Sequence, residues 1–149
     1  MRKLFFFILL GIVLLPNCQP ETPTTYKLNI NGKYIKAELA DNDPARAKGL
    51  QYRTSLAPDQ GMLFAYTEEK TLHFWMKNTS IPLSIAFIKS DGVILEIHNM
   101  EPLSLEDISS TQPAQYALET TRGWFNENQI RAGDKVIFPP ALKDCLRRP

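Results

Sequence analysis

The chain has 149 residues, 44% hydrophobic and 22% charged, which excludes a disordered polypeptide and argues for one domain. Its 17 basic and 16 acidic residues nearly cancel to a net charge of +1, so no basic surplus recruits nucleic acid by counterion release. Two cysteines (Cys18, Cys145) and two histidines (His73, His98) are too scattered for a zinc motif, and no glycine-rich phosphate loop or other cofactor signature is present.

Residues 1–18 read MRKLFFFILLGIVLLPNC. Arg2 and Lys3 precede an apolar run of 12 residues, Leu4 to Leu15. That run is shorter than the roughly 20 residues a spanning helix needs and has the length of a signal-peptide core. Leu15-Pro16-Asn17-Cys18 resembles the lipobox of bacterial lipoproteins, with Pro16 and Asn17 departing from the usual small residues. The reading favoured is cleavage after residue 17, with a diacylglycerol on the Cys18 thiol and acylation of the new amino group. Plain secretion, with Cys18 free or paired with Cys145, and an uncleaved anchor are the alternatives. Removal of residues 1–17 leaves 15 basic against 16 acidic residues. Residues 18–25 then form the lipidated Cys18 and a polar, Pro- and Thr-rich stalk.

From Tyr26 to Leu39, two alternating runs flank Asn31-Gly32, a type I′ hairpin signal. A helix of about two turns is expected within Asp41–Leu50, with Asp43 as its cap, Pro44 in its first turn and Gly49 at its end. Pro58 to Gly61 is turn chemistry, and Met62–Tyr66 and Leu72–Met76 read as two strands. Leu83–Lys89 and Val93–Met100 form a second hairpin about Asp91-Gly92. A two-residue turn would set Ile88 opposite Leu95 and Ile85 opposite His98. Leu103–Thr111 reads as a surface loop, Gln115–Thr120 as a strand, Gly123–Ile130 as a short helix and Lys135–Phe138 as a last strand. The tail, 139–149, is expected to be loosely ordered. The sum is a mainly β domain over residues 26–138, an antiparallel sandwich or barrel-like fold with two short helices.

Several phrases occur in a recognisable order: DPARAKGLQYRTSL (43–56), GMLFAY (61–66), FWMKNTSIPLSIAFI (74–88), AQYALET (114–120) and GWF (123–125), then Gly133-Asp134. Together they resemble the family called domain of unknown function 192, from about Tyr26 to Phe138. The resemblance implies a compact, mainly β fold and frequent export in bacteria, and brings no established activity. The family usually carries Asp where this chain has Ser84, and often a cysteine within the segment 103–111, where this chain has none.

Candidate chemistry gathers in a few places. Trp75, Lys77 and Asn78 set an aromatic beside a cation and an amide, which could line a site for a polar ligand such as a sugar or short peptide. The plainer reading puts Trp75 or Met76 in the core and Asn78 in a loop hydrogen bond. Arg46 and Arg53 could grip an anion through the guanidinium fork. An internal ion pair is favoured for Arg46, with Glu119 as mate. Glu96 and His98 share a strand face and could act as an acid/base pair or half a metal site, a hydrogen-bonded surface pair being the plainer reading. No GxSxG elbow surrounds Ser84 or Ser104, and Cys145 has no nearby base in sequence.

The functional expectation is an exported envelope protein, tethered by lipid on a membrane facing the periplasm or the exterior. Its domain is read as a non-catalytic module for a small polar ligand or an envelope protein. The alternatives are an envelope enzyme on glycan or lipid, using Glu96, His98 or Glu119, and a purely structural envelope protein.

Overall fold

The computed structural model describes residues 24–146. The expected signal peptide, Cys18 and the stalk up to Pro23 lie outside the described residues. Strands β1 (Thr25–Ile30) and β2 (Lys33–Ala40) form the expected hairpin. Asn31 and Gly32 both take positive φ, 52° and 80°, as a type I′ turn requires. The chain then crosses through helix α1 (Asp43–Lys48) before β3 (Gln60–Lys70) begins. A crossover of that length lets β3 lie parallel to β2, so the sheet is mixed and not wholly antiparallel. The cap of α1 is Asn42, whose side chain accepts from the Ala45 N–H. Asp43, the expected cap, is the first helical residue.

The segment after β3 carries only the two-residue strand β4 (His73–Phe74), paired with β7 (Ile108–Ser109) in a small second sheet. Part of the expected 103–111 surface loop is therefore a strand. The Leu72 N–H donates to Ser110 Oγ and the Ser110 N–H to the Leu72 carbonyl, which clamps this sheet at one end. Strands β5 (Leu83–Ile88) and β6 (Ile94–Met100) form the second hairpin. Ile85 faces His98 as expected, but Ile88 faces Ile94, because a bulge after Phe87 leaves Leu95 as the extra residue. The bulge moves Ile94 onto the inner face with Ile88 and turns Leu95 outward.

Strand β8 (Ala114–Thr121) lies between β5 and β3. At the crossing of β3 and β8, a Cβ added to Gly61 would sit 2.3 Å from the Glu119 carbonyl oxygen, so only glycine fits there. Helix α2 (Trp124–Glu127), strand β9 (Val136–Ile137) and helix α3 (Pro140–Leu146) complete the chain. The tail expected to be loose thus holds a third helix, fixed by Leu142, which is wholly buried.

The seven strands run in the order β6-β5-β8-β3-β2-β1-β9 and curl into a half-barrel. Its two edges are tied together. Val93 bridges Lys135, the Ile94 N–H donates to the Asp134 carbonyl, and the Val136 N–H donates to the Gly92 carbonyl. The protein is therefore mainly β and barrel-like, as the sequence pattern indicates. Alternation along each strand divides the core in two. Inside the curl lie Leu28, Ile35, Leu63, Leu118, Ile88 and Phe125, with Leu142 from α3. The outer face carries Met62, Phe64, Ile85, Phe87 and Ala117, which pack with Leu50, Leu72, Phe74 and Met76 from the connecting segments.

Candidate functional site

The outer face is the one with chemistry. Register places His98, Ile85, Glu119, Met62 and Glu38 in one row across β6, β5, β8, β3 and β2. Glu119 therefore sits mid-sheet between two apolar side chains, and only 4% of it is exposed. Among the described residues no group hydrogen-bonds to its carboxyl. Burial alone pushes its pKa up to about 8, which favours the protonated acid at neutral pH.

Glu119 lines a cleft of about 370 Å³ that opens to solvent between α1 and β4. Phe64 and Tyr66 come from β3, Phe74 and Trp75 from β4 and the residue after it, and Arg46 from α1. Phe64 and Phe74 meet edge to face at 4.9 Å, which fixes two of the rings. Tyr66 is half-buried. Burial raises its pKa and the Glu119 and Asp43 carboxylates add to this, while Arg46 acts against them. The Arg46 guanidinium stacks 4.9 Å from the Tyr66 ring centre. His73 also lines the cleft and bonds through Nδ1 to Asp107 at 2.9 Å.

The expected Arg46–Glu119 ion pair is not formed. Arg46 donates from Nη1 to the Ala65 carbonyl at 2.7 Å and from Nη2 to Asp43 Oδ1 at 2.6 Å. Ala65 is the last residue before the ladder between β3 and β8 becomes irregular, and it lies opposite Tyr116. Tyr116 is three residues along β8 from Glu119, a separation of roughly 10 Å at the rise of a strand. The exposed Asp43, three residues back on α1, neutralises the arginine without any desolvation of a second charge.

Trp75 is half exposed, at 52%, while its neighbour Met76 is buried. Of the two residues proposed for the core, Met76 is the one there. Lys77 Nζ stands 5.1 Å over the Trp75 ring. Asn78 adopts positive φ and donates from Nδ2 to Gln51 Oε1 and Tyr52 Oη, so it ties the loop to the segment after α1. Arg53 makes a two-point fork with Glu38, at 2.7 and 2.6 Å.

Glu96 and His98 lie on β6, away from this cleft. His98 Nε2 and Glu96 Oε2 are 2.9 Å apart, and Glu96 Oε1 accepts from both the N–H and the hydroxyl of Thr111. Burial opposes ionisation of Glu96, but the Thr111 N–H, His98 and the Thr111 hydroxyl outweigh it, and its pKa is lowered. The pair thus locks β6 to the segment before β8. Ser84 is buried and donates to Asn99 Oδ1 at 2.8 Å while accepting from the Gly123 N–H. Among the described residues no three His, Cys, Asp or Glu side chains converge as a metal ion would need.

Of the residues singled out by sequence, Arg46, Trp75 and Glu119 come together, whereas Lys77 and Asn78 stand beside the cleft and Glu96 and His98 are elsewhere. Tyr66, His73, Phe64 and Phe74 complete it and were not anticipated. Their only sequence signal is membership of the phrases GMLFAY and HFWM, which read equally well as core strands.

A mainly β half-barrel with, among the described residues, a single buried acid facing an aromatic cleft is the class of protein these features define. The chain belongs to the DUF192 family, "Uncharacterized ACR", which it matches over residues 26–138. No curated protein matches it. It is similar to a crystal structure from Sinorhizobium meliloti 1021 described as a candidate transcription regulator, with 36% identity and a TM-score of 0.75 over 78% of this chain and 95% of that one. It is also similar to a protein of unknown function from Novosphingobium aromaticivorans, with 31% identity and a TM-score of 0.73 over 76% of this chain and 85% of that one.

Proposed function

We propose that this chain is an exported, lipid-tethered envelope protein whose half-barrel binds a small polar ligand in the Glu119 cleft and performs no chemistry on it. The observation that carries the binding reading is Glu119, only 4% exposed and with no hydrogen-bond partner for its carboxyl among the described residues, beside an open, aromatic-walled space. A carboxyl largely shielded from water gains more from a ligand's donor or acceptor than an exposed one does. The half-exposed Trp75 ring offers a flat surface for the apolar face of a sugar or a short peptide.

Two features favour binding over catalysis. Asp43, the other acid lining the cleft, is exposed and committed to Arg46, so no opposed pair of carboxyls faces a bound ligand. Glu96 and His98, the acid/base candidates, do not line the cleft that holds Trp75. A regulator role of the kind named for the S. meliloti relative finds no support in charge, because the sequence is close to neutral.

Nitrogen-labelled protein in detergent, titrated with monosaccharides and dipeptides, tests the reading by NMR. Shifts are expected at the Trp75 indole and at the amides of Arg46, Gly49 and Glu119. Trp75→Ala should leave the spectrum folded and abolish those shifts. A panel that leaves the cleft signals unmoved, or that shifts only Glu96 and His98, overturns the reading.

A further inference from the structure

Glu119 specifies more than the existence of a site. An isolated carboxyl in an apolar row has two ways to gain a partner: it can stay neutral and exchange hydrogen bonds with a hydroxyl or amide, or it can ionise against a cation. The walls discriminate between these. Four aromatic rings, Phe64, Tyr66, Phe74 and Trp75, line the space Glu119 faces, and ring faces attract cations. On this basis, and resting on the binding reading above, we propose that the cleft takes a ligand bearing a primary ammonium group, seated against the Glu119 carboxyl and flanked by these rings.

Two of these rings already carry protein cations: Arg46 and Lys70 stand 4.9 and 4.8 Å from the Tyr66 ring centre and Lys77 5.1 Å from that of Trp75, while Phe64 and Phe74 have none among the described residues. Arg46 is neutralised by Asp43 at 2.6 Å and anchored on the Ala65 carbonyl. Lys48 lines the mouth but is exposed and solvated. No protein cation bonds to Glu119 among the described residues, so the position opposite it is open to a ligand. The proton balance is simple. The ligand keeps its ammonium, Glu119 releases its proton to solvent, and the two form a charge-assisted hydrogen bond. The other ionisable groups around Glu119 are few. Tyr66 comes from β3, Arg46, Asp43 and Lys48 from α1, and His73 from β4, while β5 presents Ile85. His98 and Glu38 occupy the same row beyond Ile85 and Met62, and each is held by its own partner, Glu96 and Arg53.

Isothermal titration of the intact protein in detergent at pH 7 tests this with two matched pairs. Glucosamine is compared with glucose, and a dipeptide with its N-acetylated form. The amine-bearing member of at least one pair should bind about tenfold or more tightly than its neutral counterpart, as a charge-assisted bond predicts. Its heat should differ between phosphate and Tris buffers by the amount one released proton requires. Glu119→Gln, nearly isosteric with the protonated acid, should abolish both the preference and the proton release. Equal affinities within both pairs, or a preference that survives in Glu119→Gln, overturn the amine inference and leave the binding reading standing. Silence from all four compounds overturns both.

Discussion

Among the described residues no group bonds to the Glu119 carboxyl, and its burial between Met62 and Ile85 on the two neighbouring strands favours the protonated form. The consequence for stability has a definite sign. The unfolded chain releases this proton near 4.5 and the folded chain only near 8, so the folded state binds more protons between those values. Stability should therefore fall as pH rises through that window, by roughly 5 kcal/mol at most, and level off above it. Glu119→Gln should remove the decline and be the more stable protein above neutrality. Denaturant melts of both proteins across the window check this, and a wild-type curve without the slope would show that Glu119 is paired. Glu96 contributes in the opposite sense, since its lowered pKa stabilises the fold above the ordinary carboxylate range and the gain is lost on acidification. Residue type in the sequence made Glu119 a candidate, yet its apolar surroundings arise from three strands far apart in the chain.

Elements with strong local signals were legible. Asn31-Gly32 forced one hairpin, and Asp91-Gly92 marked the second. The bulge at Leu95 was not, because alternation reads straight through a single inserted residue. Strand β4 falls within the expected strand Leu72–Met76 but is only two residues long, β7 has two residues, too few for any period to register, and their pairing depends on the Leu72–Ser110 clamp across the chain. Helix α3 lies where a polar, Pro-rich tail suggested no order, and it is held by tertiary burial of Leu142 in the inner core. Leu142→Ala should cost roughly 2–5 kcal/mol, the range for a fully buried leucine, measured by chemical denaturation. An unchanged midpoint would mean that α3 is docked without contributing to the fold.

At the scale of the whole molecule, the curled sheet separates an inner core from an outer face on which α1 and β4 leave the cleft between them. The proposed tether belongs to this scale too. Two or three acyl chains on Cys18 would hold the domain beside a bilayer, at about 0.8 kcal/mol per buried CH₂. Cys18→Ala should abolish metabolic labelling by a palmitate analogue and shift the protein out of the membrane fraction. Unchanged labelling would refute lipidation at that residue.

Two turns, the first helix and the family phrases were all set by local sequence, because capping, turn geometry and alternation act over a few residues. The parallel pairing of β2 with β3, the tie between the sheet's edges and the meeting of Arg46, Trp75 and Glu119 were decided only in three dimensions. They depend on contacts between segments tens of residues apart, and there the electrostatic state of a side chain is fixed by what folding places around it.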